Sequence, residues 1–225
     1  DYYGRWKALM YAAKKFNAPI ALSIDDNKTL MKVSLVNDTV KEYKGTLHWQ
    51  VITFDGNKLD GGSLEINSSP LSAEKVFEKD FRHLVKGLEK RTVFCAWIDE
   101  RDIVTALFVK EKQCQFLKSE IVRDIKVKGG KAEITLKADD YKRFVMVKVD
   151  GAKMPLSDNY FDLLPKEVKT ITADIGNIKA EEVKIELLCV NDIVPRQSKF
   201  RDKLFRLKIR LIPVNILFAI GQLFS

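Results

Sequence analysis

From Pro19 to Val194 the chain breaks into short runs of strand composition, closed off every few residues by Gly, Asp and Asn, and no run keeps the spacing of a long helix. That punctuation is the strongest constraint on the fold. Chains of this kind bury their apolar faces by stacking antiparallel sheets, so the body reads as all-β sandwich.

The first set of runs lies at 29–36, 46–54, 75–81, 91–98 and 103–109. Asp25, Asp26 and Asn27, then Asp55, Gly56 and Asn57, then Asp60, Gly61 and Gly62 read as its turns, Gly for positive φ and Asp or Asn for local side-chain hydrogen bonds. Alternation is clearest at Leu47, His48, Trp49, Gln50 and Val51, which puts Leu47, Trp49 and Val51 on one face of a half-buried strand. A polar connection at 111–115 leads to a second set at 121–127, 132–136, 144–149, 168–173 and 183–190. Its turns are read at Lys128, Gly129 and Gly130, and at Asp150 and Gly151. Residues 83–90 are the one stretch where a helical turn competes.

Ahead of the strands, Tyr2, Trp6, Leu9, Ala13 and Phe16 fall on one stripe at helical spacing, with Lys7, Lys14 and Lys15 mostly off it. Asn17, Ala18 and Pro19 end this amphipathic helix, because the proline ring disfavours the helical conformation at Ala18 and removes a backbone donor. The segment has no initiator Met and no targeting pattern, and reads as an internal start. Its aromatic stripe needs a partner surface, and everything downstream reads as strand. The expectation is a helix that is poorly ordered or self-associating when isolated.

The formal net charge is +8, which at first suggests a polyanion partner. The tail from Pro195 onward carries Arg196, Lys199, Arg201, Lys203, Arg206, Lys208 and Arg210 against Asp202 alone, so +6 sits there and the body is nearly neutral. No nucleic-acid partner is implied. Cys95, Cys114 and Cys189 are odd in number and lack CxxC spacing, so they read as buried, unpaired small hydrophobes. His48 and His83 are too isolated for a metal site, and His48 reads as a solvated or edge histidine. The carboxylate pairs Asp25–Asp26, Asp139–Asp140 and Glu181–Glu182 read as solvated turn residues. No catalytic, cofactor-binding or metal-binding residue is assigned.

Two motifs carry a resemblance. DYYGRWKALMYAAKKF at 1–16, followed by Ala18 and Pro19, resembles the last barrel helix of the β-mannosidases of glycoside hydrolase family 2. SDNYFDLLPKEVKTI at 157–171 resembles the motif near the end of the terminal immunoglobulin-like domain of those enzymes. The likeness runs to about residue 192. Met10 stands where relatives commonly carry His, Asn17 where an aromatic is common, and Lys166 where Gly is usual, which burdens the local turn.

The resemblance implies an organisation and a function. Residues 1–17 would be one amphipathic helix left from a (β/α)8 barrel; 18–113 a sandwich of the mannosidase Ig/CBM-like kind; 114–193 a C-terminal immunoglobulin-like sandwich; and 194–225 a basic then apolar tail. The full-length family hydrolyses terminal non-reducing β-D-mannose residues by a retaining mechanism, with two glutamates held on barrel strands. Those strands are not in this sequence, so the chain alone is expected to be inactive. Its implied partners are the upstream catalytic barrel and, for the full-length enzyme, a mannose-containing oligosaccharide or glycoprotein. A family-typical compartment would be periplasmic, secreted or lysosomal. Of the matching residues, Tyr2 and Tyr3 lie close enough to the final barrel strand to stand behind a sugar site, but Trp6, Leu9 and Phe16 read as packing against the barrel wall.

A second reading is a free-standing module, binding glycans or a membrane surface. Trp97, in a run apolar on both faces, and Tyr160 with Phe161 are its candidate sugar-stacking residues. A run apolar on both faces more often marks a central strand covered by a neighbouring domain. The tail's final apolar stretch, 211–225, falls short of the roughly 20 residues that span a bilayer. It suits a membrane-surface anchor or an extension without selected structure, and the completeness of the preceding domain favours the extension.

Overall fold

The computed structural model of this 225-residue chain describes residues 6–99, 103–153, 155–178 and 182–194. Tyr2, Tyr3, Arg5, Glu181 and the tail read above as anchor or extension lie outside the described residues. After helix α1 (Ala8–Phe16) come β1 (Ile20–Asn27), β2 (Leu30–Asn37), β3 (Tyr43–Thr53), β4 (Lys58–Ser68), β5 (Ser72–Asp80), β6 (Thr92–Ile98) and β7 (Val104–Leu107). These strands form two antiparallel sheets, in the orders β1-β2-β5 and β4-β3-β6-β7. The alternation read at 47–51 sets the core: Leu47, Trp49 and Val51 of β3 pack with Met31, Val33 and Leu35 of β2 and with Phe94, Ala96 and Ile98 of β6. Each of the Val, Leu, Ile, Met and Phe side chains among them, fully buried, contributes about 1.5–3 kcal/mol of hydrophobic stabilisation.

The second sandwich contains β8 (Val122–Lys128), β9 (Lys131–Lys137), β10 (Lys142–Val149), β11 (Phe161–Leu163), β12 (Val168–Asp174) and β13 (Ile185–Leu188), closed by the short helix α2 (Val190–Ile193). Its sheets run β12-β9-β8 and β11-β10-β13, all antiparallel pairs. Gly129 and Gly130, both at positive φ (57° and 76°), make the two-residue link between β8 and β9, where a side chain on each would be strained. The core draws Ala132, Ile134 and Leu136 from β9, Val145, Val147 and Val149 from β10, and Ile171 and Ala173 from β12.

The two sandwiches meet in a third apolar cluster. Ile52, Phe54, Val93, Cys95 and Leu107 of the first pack with Cys114, Phe116, Tyr141 and Leu164 of the second. Phe54 is stacked with Phe116 and with Tyr141, at centroid distances of 5.0 and 5.3 Å, and its carbonyl accepts the Tyr141 N–H at 2.8 Å. This seam explains why β6 is apolar on both faces. Phe94, Ala96 and Ile98 look into the first core, whereas Val93 and Cys95 look across at the second sandwich.

Several local expectations need correction. Asp25, Asp26 and Asn27 are strand residues, paired with Lys32, Met31 and Leu30, and the turn falls instead at Lys28 and Thr29. Asp60, Gly61 and Gly62 likewise lie inside β4, opposite Val51, Gln50 and Trp49. The glycines there serve close approach: a Cβ on Gly62 would stand 3.3 Å from the Trp49 ring, and one on Gly61 2.9 Å from the Trp49 carbonyl. His48 is on an interior strand rather than an edge, half-buried and stacked on Trp97 at 5.4 Å. Asp140 is no solvated turn acid. It is 2% exposed and pairs with the equally buried Lys142 at 2.7 Å. At 83–90, by contrast, the helical turn that competes in the sequence is present: consecutive turns run into a 3-10 turn at Glu89–Arg91, which leads into β6.

Candidate functional site

The two motifs that carry the family resemblance touch each other. α1 ends at Phe16, with Asn17 as its C-cap and Lys14 and Lys15 in the last turn, where cations suit the helix dipole. Its buried residue is Tyr11, at 1% exposure, and Tyr11 is not on the stripe that periodicity picks out. The Tyr11 hydroxyl accepts the Leu156 N–H at 3.1 Å, and its ring packs on Tyr160 at 5.9 Å and edge-on to Trp6 at 5.3 Å. Lys14 Nζ donates to the Ser157 carbonyl at 3.1 Å, and Lys15 pairs with Asp158 at 3.1 Å. The helix therefore has a partner surface within the chain, contrary to the expectation that only strands without one follow it. Burial pushes the Tyr11 hydroxyl pKa up, outweighing the Leu156 N–H bond, which favours the ionised form.

The helix leaves its other side open. Leu9, Met10 and Phe16 are 71%, 48% and 60% exposed. Leu9 and Phe16 line a groove of about 1090 Å³ bounded by α1, β1, β7 and the 157–160 loop, with Leu22, Val104, Phe144 and Tyr160 also among its lining residues. Two of these, Phe144 and Tyr160, hold positive φ (49° and 54°), a conformation that costs an aromatic residue stability.

The 157–171 motif shows what each of its residues does. Ser157 Oγ accepts the Thr172 N–H at 2.8 Å, and Asp158 is held between Lys15 and Lys169 at 3.1 and 3.2 Å. Asn159 replaces a strand neighbour: it accepts the Val147 N–H and donates to the Val147 carbonyl, both at 2.8 Å. Phe161 and Leu163 are buried core residues, so Phe161 offers no ring to a sugar, and Tyr160 is half-buried against Tyr11. Lys166 sits at φ 65°, the left-handed conformation for which glycine is suited, while its N–H donates to the Ala138 carbonyl at 2.7 Å.

Asp162 is the residue that sequence reasoning misses. Its Oδ2 accepts the Tyr141 hydroxyl at 2.6 Å and Arg143 Nη1 at 2.7 Å, and also takes the hydroxyl of Thr105 from the first sandwich. Its Oδ1 accepts the Phe144 N–H at 2.9 Å. Arg143 Nη1 reaches Thr105 Oγ1 at 2.9 Å, and its guanidinium lies 4.1 Å over the Phe144 ring. Burial works against the Arg143 charge, but Asp162 and Tyr141 outweigh it and raise its pKa; burial and the Asp162 charge raise that of Tyr141. The sequence signal is faint: Arg143 stands just before the apolar residues 144–147.

Among the described residues no acid–base or nucleophilic constellation emerges. Among the described residues, no group of three or more His, Cys, Asp and Glu is placed to hold a metal, and no helix is long and apolar enough to cross a membrane. Cys95, Cys114 and Cys189 are free and buried, with thiol pKa values raised by desolvation, to about 12 for Cys114 and about 11 for Cys189.

Residues 29–104 match the family of mannosidase Ig/CBM-like domains, and residues 116–188 match the Ig-fold domain of mannosidases. The fold agrees with the β-D-mannosidase of Dictyoglomus thermophilum, at TM-score 0.70 and 20% identity over 83% of this chain and 23% of that one. It also agrees with the exo-chitosanase CsxA of Amycolatopsis orientalis, at TM-score 0.57 and 16% identity over 84% of this chain and 27% of that one. No curated protein matches the chain by sequence. Two immunoglobulin-like sandwiches in tandem, of the mannosidase type and with one short helix before them, define an accessory region of a glycosidase. Residues 29–104 and 116–188 are thus domains of the two kinds that mannosidases carry in tandem. It spans about a quarter of the length of the solved enzymes it matches.

Proposed function

We propose that this chain is the part of a β-mannosidase that buttresses its catalytic barrel, in an enzyme that removes terminal non-reducing β-D-mannose by a retaining mechanism. On this reading residues 1–17 are the last helix of the barrel, 18–113 and 114–193 are the two accessory sandwiches, and 194–225 is a tail outside them. The observation that carries the reading is the two-sided helix: Tyr11, Lys14 and Lys15 fasten α1 to the second sandwich, while Leu9 and Phe16, both exposed, line an apolar groove and Met10 stays exposed. An exposed apolar stripe of this kind needs a cover, and a barrel wall supplies one. The tail's contact with a membrane is the lesser reading.

The chain by itself has no hydrolytic role in this scheme, because the two carboxyl groups of a retaining glycosidase stand on barrel strands. The test has two arms. The isolated 225-residue chain is assayed on an aryl β-D-mannoside, and the gene is read upstream of Asp1. Absence of turnover, together with a reading frame that continues into a barrel with two glutamates, supports the proposal. Turnover abolished by mutating a carboxylate within the chain refutes it, as does a stop codon and ribosome site directly upstream. The rival reading, a free-standing glycan-binding module, predicts saturable retention on immobilised mannan without any barrel.

A further inference from the structure

We propose that Asp162 is a latch that sets the angle between the two sandwiches and, through it, the shape of the groove beside α1. The apolar seam cannot fix that angle alone: the stacking of Phe54 on Phe116 and Tyr141 is only weakly directional, and the Tyr141 N–H bond to the Phe54 carbonyl at 2.8 Å pins one point about which the sandwiches can still turn. Hydrogen bonds have preferred directions, and one carboxylate at the edge of the seam gathers four of them. Its Oδ2 binds the Tyr141 hydroxyl and Arg143 Nη1 of its own sandwich and the Thr105 hydroxyl of β7 in the other. Arg143 Nη1 closes the triangle on Thr105 Oγ1 at 2.9 Å.

The same carboxylate shapes the groove. Oδ1 accepts the N–H of Phe144, which sits at a break in the pairing of β10 with β11, between Lys142 and Val145, at φ 49°. Phe144 is 45% exposed and lines the groove, so the group that ties the sandwiches together also holds this ring where an incoming surface meets it. Asp162 and Arg143 are largely withdrawn from water, with 10% and 14% of their side chains exposed. At such a site the pairing adds little net stability over an apolar pair but discriminates strongly among arrangements. The latch thus trades stability for a single orientation.

The test uses the whole chain with spin labels on Lys75→Cys in the first sandwich and Glu133→Cys in the second. The three native thiols are buried, so labelling is confined to the introduced sites. Thr105→Val removes the cross-seam arm and leaves Asp162, Arg143 and Tyr141 intact within their sandwich, while Asp162→Asn sets an amide N–H2 against Arg143. The expected results are a broadened or shifted inter-label distance distribution in both variants, and at least tenfold faster exchange of the Phe144 amide in Asp162→Asn only. A distance distribution unchanged from wild type in Thr105→Val, with the chain folded by far-ultraviolet circular dichroism, overturns the proposal. Broadening in Asp162→Asn alone also overturns it, because the effect would then be unfolding of the second sandwich.

Discussion

The hydroxyl of Tyr11 accepts a hydrogen bond from the backbone N–H of Leu156 at 3.1 Å, joining a helix to a loop 145 residues away. Leu156 is the residue before Ser157, so the bond lands at the edge of the second family motif. Both groups are buried, and Tyr11 is the helix's buried anchor.

Tyr11→Phe keeps the ring contacts and strands the Leu156 N–H. The expected cost is about 1–2 kcal/mol, the desolvation penalty of a buried donor without a partner. Native-state hydrogen exchange should show the amides of α1 opening faster while those of β9 are unchanged. Equal protection of α1 in variant and wild type would remove Tyr11 from the role of anchor.

Lys166→Gly should stabilise the chain. Lysine at φ 65° bears a left-handed strain of about 1–2 kcal/mol, and glycine relieves it at the expense of a more flexible unfolded chain. The net gain expected is about 0.5–1 kcal/mol, seen as a Tm a few degrees higher. A lower Tm would mean that the turn is held by something other than backbone conformation.

Lys142→Met breaks a buried pair and leaves the Asp140 carboxylate with the Ser119 hydroxyl and the Ser119 N–H at 3.3 Å. Removing one member of a buried ion pair costs about 3–5 kcal/mol. The double variant Lys142→Met with Asp140→Leu should recover part of that loss in urea unfolding. A single variant within 1 kcal/mol of wild type, roughly the value of an exposed pair, would contradict the burial.

The thiols predict alkaline lability. Cys114 and Cys189 have folded pKa values near 12 and 11, both raised first by desolvation, against an ordinary value of about 8.5. The folded state therefore keeps protons that the unfolded state releases. This contribution is complete below about pH 8.5 and is lost as pH rises through the folded values, at up to about 1.4 kcal/mol per pH unit for each thiol. Urea midpoints should hold level from pH 7 to 8 and fall from pH 9 upward. Replacing both cysteines with alanine should flatten that fall, though it lowers stability at every pH. In native buffer at pH 8, a thiol reagent should titrate none of the three cysteines rapidly.

The strand plan was open to sequence reasoning wherever burial is one-sided. Leu47, Trp49 and Val51 alternate because one face of β3 meets a core, and Gly129 with Gly130 marks a turn because backbone at positive φ favours glycine. Residue type misleads where it serves two purposes. Gly61 and Gly62 look like a turn but make room for Trp49, and Asp25 and Asp26 look like loop acids but sit on an edge strand. β11, with three residues, is too short to show any period.

The residues of the seam and the helix anchor were hidden for a different reason. Tyr11 lies off the apolar stripe, and Thr105, Tyr141, Arg143 and Asp162 are scattered over 57 positions with no shared spacing. The class of fold, the end of α1 and the likeness to mannosidase domains are legible in local sequence, because periodicity, turn chemistry and motifs are properties of neighbouring residues. Only the tertiary structure decided which face of α1 is buried and which carboxylate joins the sandwiches. Burial and hydrogen-bond partnership depend on distant segments meeting, and no one-dimensional pattern records that.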